Sequence, residues 1–195
     1  TELPSVCYDG EATMRLPVRH LAELGHRRLL YFGPRGVENT LPRALYFREA
    51  VQEAGINGDE CLYTAAHSTY ELYAWDVVEQ QMSELETYLA QARRDFTAIV
   101  CFNDMAAVSA CRVLRRHGMR VPEDISVTGV DNFDPTLTIP ALTTVDGQLI
   151  QLGLNASQMV LAMIERGDTY RRELRGRQTV LQPKLIVRQS TAATA

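Results

Sequence analysis

Between Leu29 and Val130, short apolar runs alternate with longer segments of helical period, and this alternation limits the fold more than any other feature of the chain. The strand-length runs are Leu29 to Gly33, Cys61 to Thr64, Thr97 to Phe102 and Ile125 to Val130. Between the second and third, a segment from about Tyr70 to Ala92 spaces Leu72, Trp75, Val78, Met82, Leu85 and Leu89 along one helical stripe. Ala107, Ala110, Cys111 and Leu114 repeat the pattern in the next helix. Such stripes are expected to pack on a sheet. The pattern predicts an α/β fold, a Rossmann-like parallel sheet with helices on both faces. Leu24-Gly25 and His117-Gly118 are expected to close helices, because glycine accepts the left-handed conformation of a helix end. Pro17 is expected in a first turn, since deeper in a helix it would lose a hydrogen bond and clash.

The chain has 195 residues, enough for one large domain or a small two-lobed one with a real core. Its 24 acidic and 20 basic side chains give a net charge of −4, with no long run of one sign to suggest a nucleic-acid footprint. The densest basic cluster, Arg166 to Arg177, is interrupted by Asp168 and Glu173 and reads as a solvated linker. Cys7, Cys61, Cys101 and Cys111 form no CxxC pair and are expected as free thiols in a reducing cytoplasm. No stretch approaches the roughly twenty apolar residues of a membrane helix.

After Val145 the alternation changes. A helix from Gln148 to Arg166 is expected, then the arginine-rich stretch, then short strands around Thr179 to Leu181 and Leu185 to Val187.

Candidate chemistry gathers where strands end. Asn103 ends the third run, Asp131 ends the fourth, and the Gly33-Pro34-Arg35-Gly36 loop leaves the first, with Arg43 opening the helix behind it. With a strand order of 2-1-3-4, the first and third strands flank the topological switch point, and Arg43 and Asn103 face one crevice. A guanidinium, an amide and a carboxylate together can hold several hydroxyls in fixed directions, as a sugar requires. Plainer roles compete. Asn103 and Asp104 stand where a helix begins and suit capping. Asp131-Asn132 suits a turn, and Tyr70 could be only the first member of its helix stripe. No GxSxG, GxxxxGK[ST], HExxH or GxGxxG occurs, the four histidines show no metal-ligand spacing, and the expectation is a protein that is not an enzyme and needs no cofactor or metal. His26 is expected to cap or pack. The GPRG loop is poor support for a phosphate site.

Several ordered motifs resemble the LacI/GalR family of bacterial transcriptional regulators: HLAELGHRRLLYFG at His20 to Gly33, RALYFREAVQEAGI at Arg43 to Ile56, FNDMAAVSACRVLRRHGMRVPEDISV at Phe102 to Val127, GVDNFDPTLTIPALTTV up to Val145, and LIVRQST at Leu185 to Thr191. The resemblance implies the second lobe of a type I periplasmic-binding-protein-like domain, with residues 29–139 and 178–191 in that lobe and 1–12 and 142–167 as pieces of the first. It also implies effector contacts at Arg43, Asn103 and Asp131, a stacking aromatic at Tyr70 and a pocket aspartate at Asp9. The implied ligand is a small polar effector such as a sugar, and the implied assembly is a cytoplasmic homodimer. DNA would be bound through a helix-turn-helix that these residues do not contain. A stand-alone sugar-binding protein of the transport type shares the fold and is the alternative. Thr13, Met14 and Tyr46 depart from positions where the family carries glycine. The apolar stripe of the Gln148 to Arg166 helix is expected to dock on a second copy or fold back on its own lobe.

Overall fold

The computed structural model describes residues 3–35, 42–64, 75–91, 95–134, 136 and 138–194. In chain order the elements are β1 (Ser5–Tyr8), α1 (Ala12–Glu23), β2 (Arg28–Arg35), α2 (Arg43–Glu53), β3 (Asn57–Thr64), α3 (Trp75–Gln91), β4 (Ala98–Cys101), α4 (Asp104–Arg116), β5 (Ser126–Val130), β6 (Thr143–Asp146), α5 (Leu149–Glu173), β7 (Gln178–Leu181) and β8 (Lys184–Ile186).

Six strands form one sheet in the order β3-β2-β4-β5-β6-β8, parallel except for the antiparallel edge strand β8. Its first four members reproduce the expected 2-1-3-4 order, so the chain reverses its direction of winding between β2 and β4. Alternate side chains feed opposite faces, as the two-residue period of a strand requires. Leu30, Phe32, Ile99, Cys101 and Val127 meet α3 and α4 through Leu85, Leu89, Ala110 and Leu114. Leu29, Tyr31, Ala98 and Val100 meet α1 and α2 through Met14, Val18, Leu21 and Phe47. Each large aliphatic or aromatic side chain removed from water in this way stabilises the fold by about 1.5–3 kcal/mol.

Gly25 and Gly118 close α1 and α4 with φ of 94° and 72°, as expected of helix-ending glycines. The four cysteines are free. His26 is buried and packs, with its ring nitrogens on Thr97 Oγ1 at 2.8 Å and the Ala192 carbonyl at 3.0 Å.

Two expectations are corrected. Pro17 lies inside α1, beyond the first turn, where it has no N–H to offer the Thr13 carbonyl. Its ring is buried beside Met14, Val18 and Leu21, and this packing holds the helix. Residues Arg166 to Arg177 are not a linker. Gly167, at φ 69°, breaks α5, and helix then resumes to Glu173. Residues Thr143–Asp146, grouped above with 1–12, pair with β5 and β8 in the large sheet, whereas Gln178–Leu181 pairs in parallel with β1 in a separate two-stranded sheet. Of the two arrangements expected for α5, folding back to bury its stripe is not seen: no residue of it is buried. Leu149, Ile150, Leu154, Val160, Leu161 and Ile164 are each more than half exposed, as docking on a second copy would require.

Candidate functional site

The carboxyl ends of β2, β4 and β5 bring Arg43, Phe102-Asn103 and Asp131 together. Arg43 is the first residue of α2, where a cation works against the helix dipole, and it is only 5% exposed. A buried charge must be matched by partners, and here they come from three directions. Nη1 donates to the Phe102 carbonyl at 2.5 Å, Nη2 donates to the Tyr8 hydroxyl at 3.0 Å, and Nη2 lies 3.6 Å from Asp131 Oδ1. The guanidinium also sits 4.7 Å from the centroid of the Phe102 ring. Burial works against the Arg43 charge, but Asp131, Tyr8 and Tyr31 outweigh it and hold the pKa above its ordinary value.

Asn103 occupies the extended position before α4, and its Oδ1 accepts the Ala106 N–H at 2.8 Å. It is therefore the helix cap that its residue type suggested. Its Nδ2 is fully buried and has no hydrogen-bond partner among the described residues, which leaves an amide donor at the site unused. Asp131 and Asn132 adopt φ of 113° and 52°, the left-handed region that non-glycine residues rarely enter. Asp131 thus makes the turn that its type allowed and also reaches Arg43. Asp9 lies just after β1, and its Oδ1 accepts the Ala12 N–H at 3.2 Å. It serves the start of α1, and among the described residues no hydrogen bond or ion pair joins its carboxylate to Arg43, Asn103 or Asp131. Tyr70, Leu72 and Gly36 lie outside the described residues.

Two hollows flank the Arg43–Asp131 pair. One, of about 360 Å³, is lined on Arg43's side by Tyr8, Gly10, Pro42, Tyr46 and Leu152. The other, of about 280 Å³, lies on Asp131's side between Asn132, Phe133, Asp146, Leu149 and Ile150. The first end of α5 borders both. Tyr46, where the resembling family carries glycine, packs on Gly10, whose missing side chain makes the room: a Cβ there would lie 3.0 Å from the Tyr46 ring.

Three participants were not singled out from the sequence as site residues. Tyr8 ends β1 and accepts from Arg43. Asp104, considered above only as a cap, is buried, with Oδ1 accepting the Thr144 hydroxyl at 2.5 Å and Oδ2 accepting the Phe133 N–H at 2.9 Å. Arg188 donates to the Leu142 carbonyl at 2.8 Å and to Asn132 Oδ1 at 2.6 Å. A signal for Asp104 existed in Gly129, since a glycine inside a buried β-branched strand marks a close approach. Among the described residues no cluster of histidine, cysteine, aspartate and glutamate could hold a metal ion.

Comparison with known proteins sets this geometry in context. The model of the periplasmic binding protein-like domain matches residues 18–191. The chain is 34% identical over 199 residues to the HTH-type transcriptional regulator reg1 of Streptomyces lividans, a match covering 98% of this chain and 53% of the relative. It is 31% identical over 199 residues to the arabinose metabolism transcriptional repressor of Geobacillus stearothermophilus, covering 96% and 50%. A solved structure of a LacI family transcriptional regulator from Enterococcus faecium with bound ribose superposes with a TM-score of 0.78 at 24% identity, covering 97% of this chain and 66% of that one, and shows the shared fold. The chain spans about half the length of the curated relatives it matches.

Proposed function

The chain belongs to the periplasmic binding protein-like domain family in the form carried by LacI/GalR regulators, and from that premise we propose that it is the effector-sensing part of a transcriptional regulator. The effector is a small polar molecule of the sugar class. It sits at the carboxyl ends of β2, β4 and β5, held by Arg43, Asn103 and Asp131, and the family resemblance adds Tyr70 and Asp9 as further contacts. The six-stranded sheet with α1 to α4 forms one lobe, and β1, β7 and α5 belong to the other. Effector binding shifts the balance between lobe arrangements and so changes the DNA affinity of a helix-turn-helix elsewhere in the parent protein, which works as a homodimer in the cytoplasm. No bond is made or broken in this role.

One observation carries the reading. A buried guanidinium and a carboxylate meet beside two hollows at the switch point of a parallel sheet, and the unpartnered amide of Asn103 follows directly on the Phe102 carbonyl that Arg43 holds. Hydroxyl groups arriving there find donors and an acceptor already fixed in direction, so little ordering is left to do on binding. The relatives favour regulation over transport, since one is a repressor of arabinose metabolism.

Calorimetric titration of the full-length protein against ribose, arabinose, galactose and lactose tests this. The sugar that binds wild type loses roughly 10- to 100-fold in affinity to Asp131→Asn and to Arg43→Lys, the scale of a lost hydrogen bond to a charged group. Unchanged dissociation constants in both variants would remove these residues from the site.

A further inference from the structure

Asp104 stands in the first turn of α4, where a carboxylate suits the helix dipole, yet both its oxygens are engaged elsewhere. Oδ2 takes the Phe133 N–H at 2.9 Å, and Oδ1 takes the Thr144 hydroxyl at 2.5 Å. The Thr144 oxygen in turn accepts the Asn132 N–H at 3.3 Å. Two successive amides that follow Asp131 are therefore tied to one carboxylate, one directly and one through a hydroxyl. The N–H of Asp131 itself is held by the Val145 carbonyl at 2.9 Å.

This is the segment in which Asp131 and Asn132 take φ of 113° and 52°. Such conformations persist in non-glycine residues only where the surroundings over-determine them. The strand beneath is cut to make room, because a Cβ on Gly129 would lie 2.3 Å from Asp104 Oδ1 and 3.2 Å from its Cα. The carboxylate is 3% exposed, so its two bonds act in a medium that strengthens them. Burial pushes its pKa up to about 6. Thr144 and Phe133 pull it down, the charge of Asp131 adds to the rise, and Arg188 opposes it.

We propose that Asp104 is a positioning residue for the ligand site: through Phe133 and Thr144 it locks the left-handed turn at Asp131-Asn132 and so aims the Asp131 carboxylate at Arg43. The inference rests on the reading of Asp131 as a ligand-facing group. It supplies what that reading lacked, a reason for a short acidic side chain to hold a strained backbone in register with a guanidinium from another element. It also separates the two halves of the Asn103-Asp104 pair, since Asn103 caps the helix and Asp104 governs the neighbouring strand end.

The test uses the isotopically labelled, ligand-free protein in solution. In wild type, the Phe133 amide proton is expected to move upfield as pH falls through about 6, because a neutral carboxyl accepts more weakly than a carboxylate. The amide–Hα couplings of residues 131 and 132 should keep the values set by their φ angles. Asp104→Ala is expected to speed exchange of the Phe133 amide roughly 10- to 100-fold and to average those couplings, while amides of β2 and α1 keep their protection. Asp104→Asn still offers an acceptor to Phe133, so it should preserve the couplings and lose the pH response. Should Asp104→Ala fail to fold, Thr144→Val removes the Asn132 tether alone and is expected to loosen that residue. Unaltered couplings in the folded Asp104→Ala or Thr144→Val protein, or a Phe133 amide that ignores pH between 4.5 and 7.5, would overturn the proposal. Because no ligand is present, this failure is distinct from an unchanged sugar affinity in Asp131→Asn, which would sink the site reading and leave the turn-locking contact standing.

Discussion

Two arginine–aspartate pairs sit at opposite ends of the same sheet, and the shorter one matters less. At the amino ends of β2 and β4, Arg28 Nη2 lies 2.6 Å from Asp95 Oδ2, with side chains 46% and 34% exposed. At the carboxyl ends, Arg43 and Asp131 are 3.6 Å apart but only 6% and 13% exposed. Water and salt screen the first pair, whereas the second has given up its hydration and depends on its partners. The surroundings differ in the same sense. The amino ends are closed by neutral groups: His26 bridges Thr97 and the Ala192 carbonyl, His20 meets Thr191, and Ser126 accepts the Ala192 N–H. The carboxyl ends carry Arg43, Asp131 and Asp104, and the side chain of Arg188 reaches Asn132 from beside the start of β6. One end seals the sheet, and the other holds charge poised beside open space.

The largest expected effect comes from removing the buried cation. Arg43→Met takes the donor from the Phe102 carbonyl and the Tyr8 hydroxyl and the cation from beside Asp131, and should cost about 3 kcal/mol of stability by urea denaturation; a loss below about 1 kcal/mol would mean that solvent already reaches the pair. An intermediate effect separates the two ends by pH. Burial lowers the pKa of both His20 and His26 below 6.5. Their neutral forms therefore stabilise the fold above 6.5, and that contribution is lost as pH falls through 6.5 toward the depressed folded values. Asp104 has the opposite sign. Its pKa rises from 3.8 to about 6, so the folded state binds a proton more readily than the unfolded one, and stability gained on acidification from about 6 toward 4 is given back as pH rises. Urea midpoints followed from pH 7 to 4.5 should fall more steeply in Asp104→Asn than in wild type and less steeply in His26→Gln. Equal slopes in all three would erase the contrast. The smallest effect belongs to the short pair. Arg28→Ala should cost less than about 1 kcal/mol and nothing measurable in molar salt.

Much of this was legible in the sequence for identifiable reasons. β2, β4 and β5 announced themselves by their apolar runs, whereas β3 begins four residues before the apolar Cys61 to Thr64 because Asn57 to Glu60 pair with β2 despite their polarity. Helices too long for hairpins gave the parallel direction, and the 2-1-3-4 order was posited. Arg43 and Asp131 were found together by asking what stands where strands end. What escaped depends on contacts that no local pattern encodes. Thr143–Asp146 is a strand because β5 and β8 flank it, although the run is only four residues long and Val145 is its one apolar member. Pro17 sits inside α1 because packing overrides its preference. Residues beyond Gly167 are helical although their arginines suggested a tether. Asp104 looked like a helix cap because its tie to Phe133 spans 29 positions of chain, a relation visible only once α4 and β5 are side by side.

Arg43 bonds at the same time to the main chain just past β4 and to the phenol that ends β1, a strand of the smaller sheet. Whatever competes for those protons pulls on both sheets together. A molecule of a dozen heavy atoms could thus register as leverage across the whole body, with the guanidinium as its fulcrum.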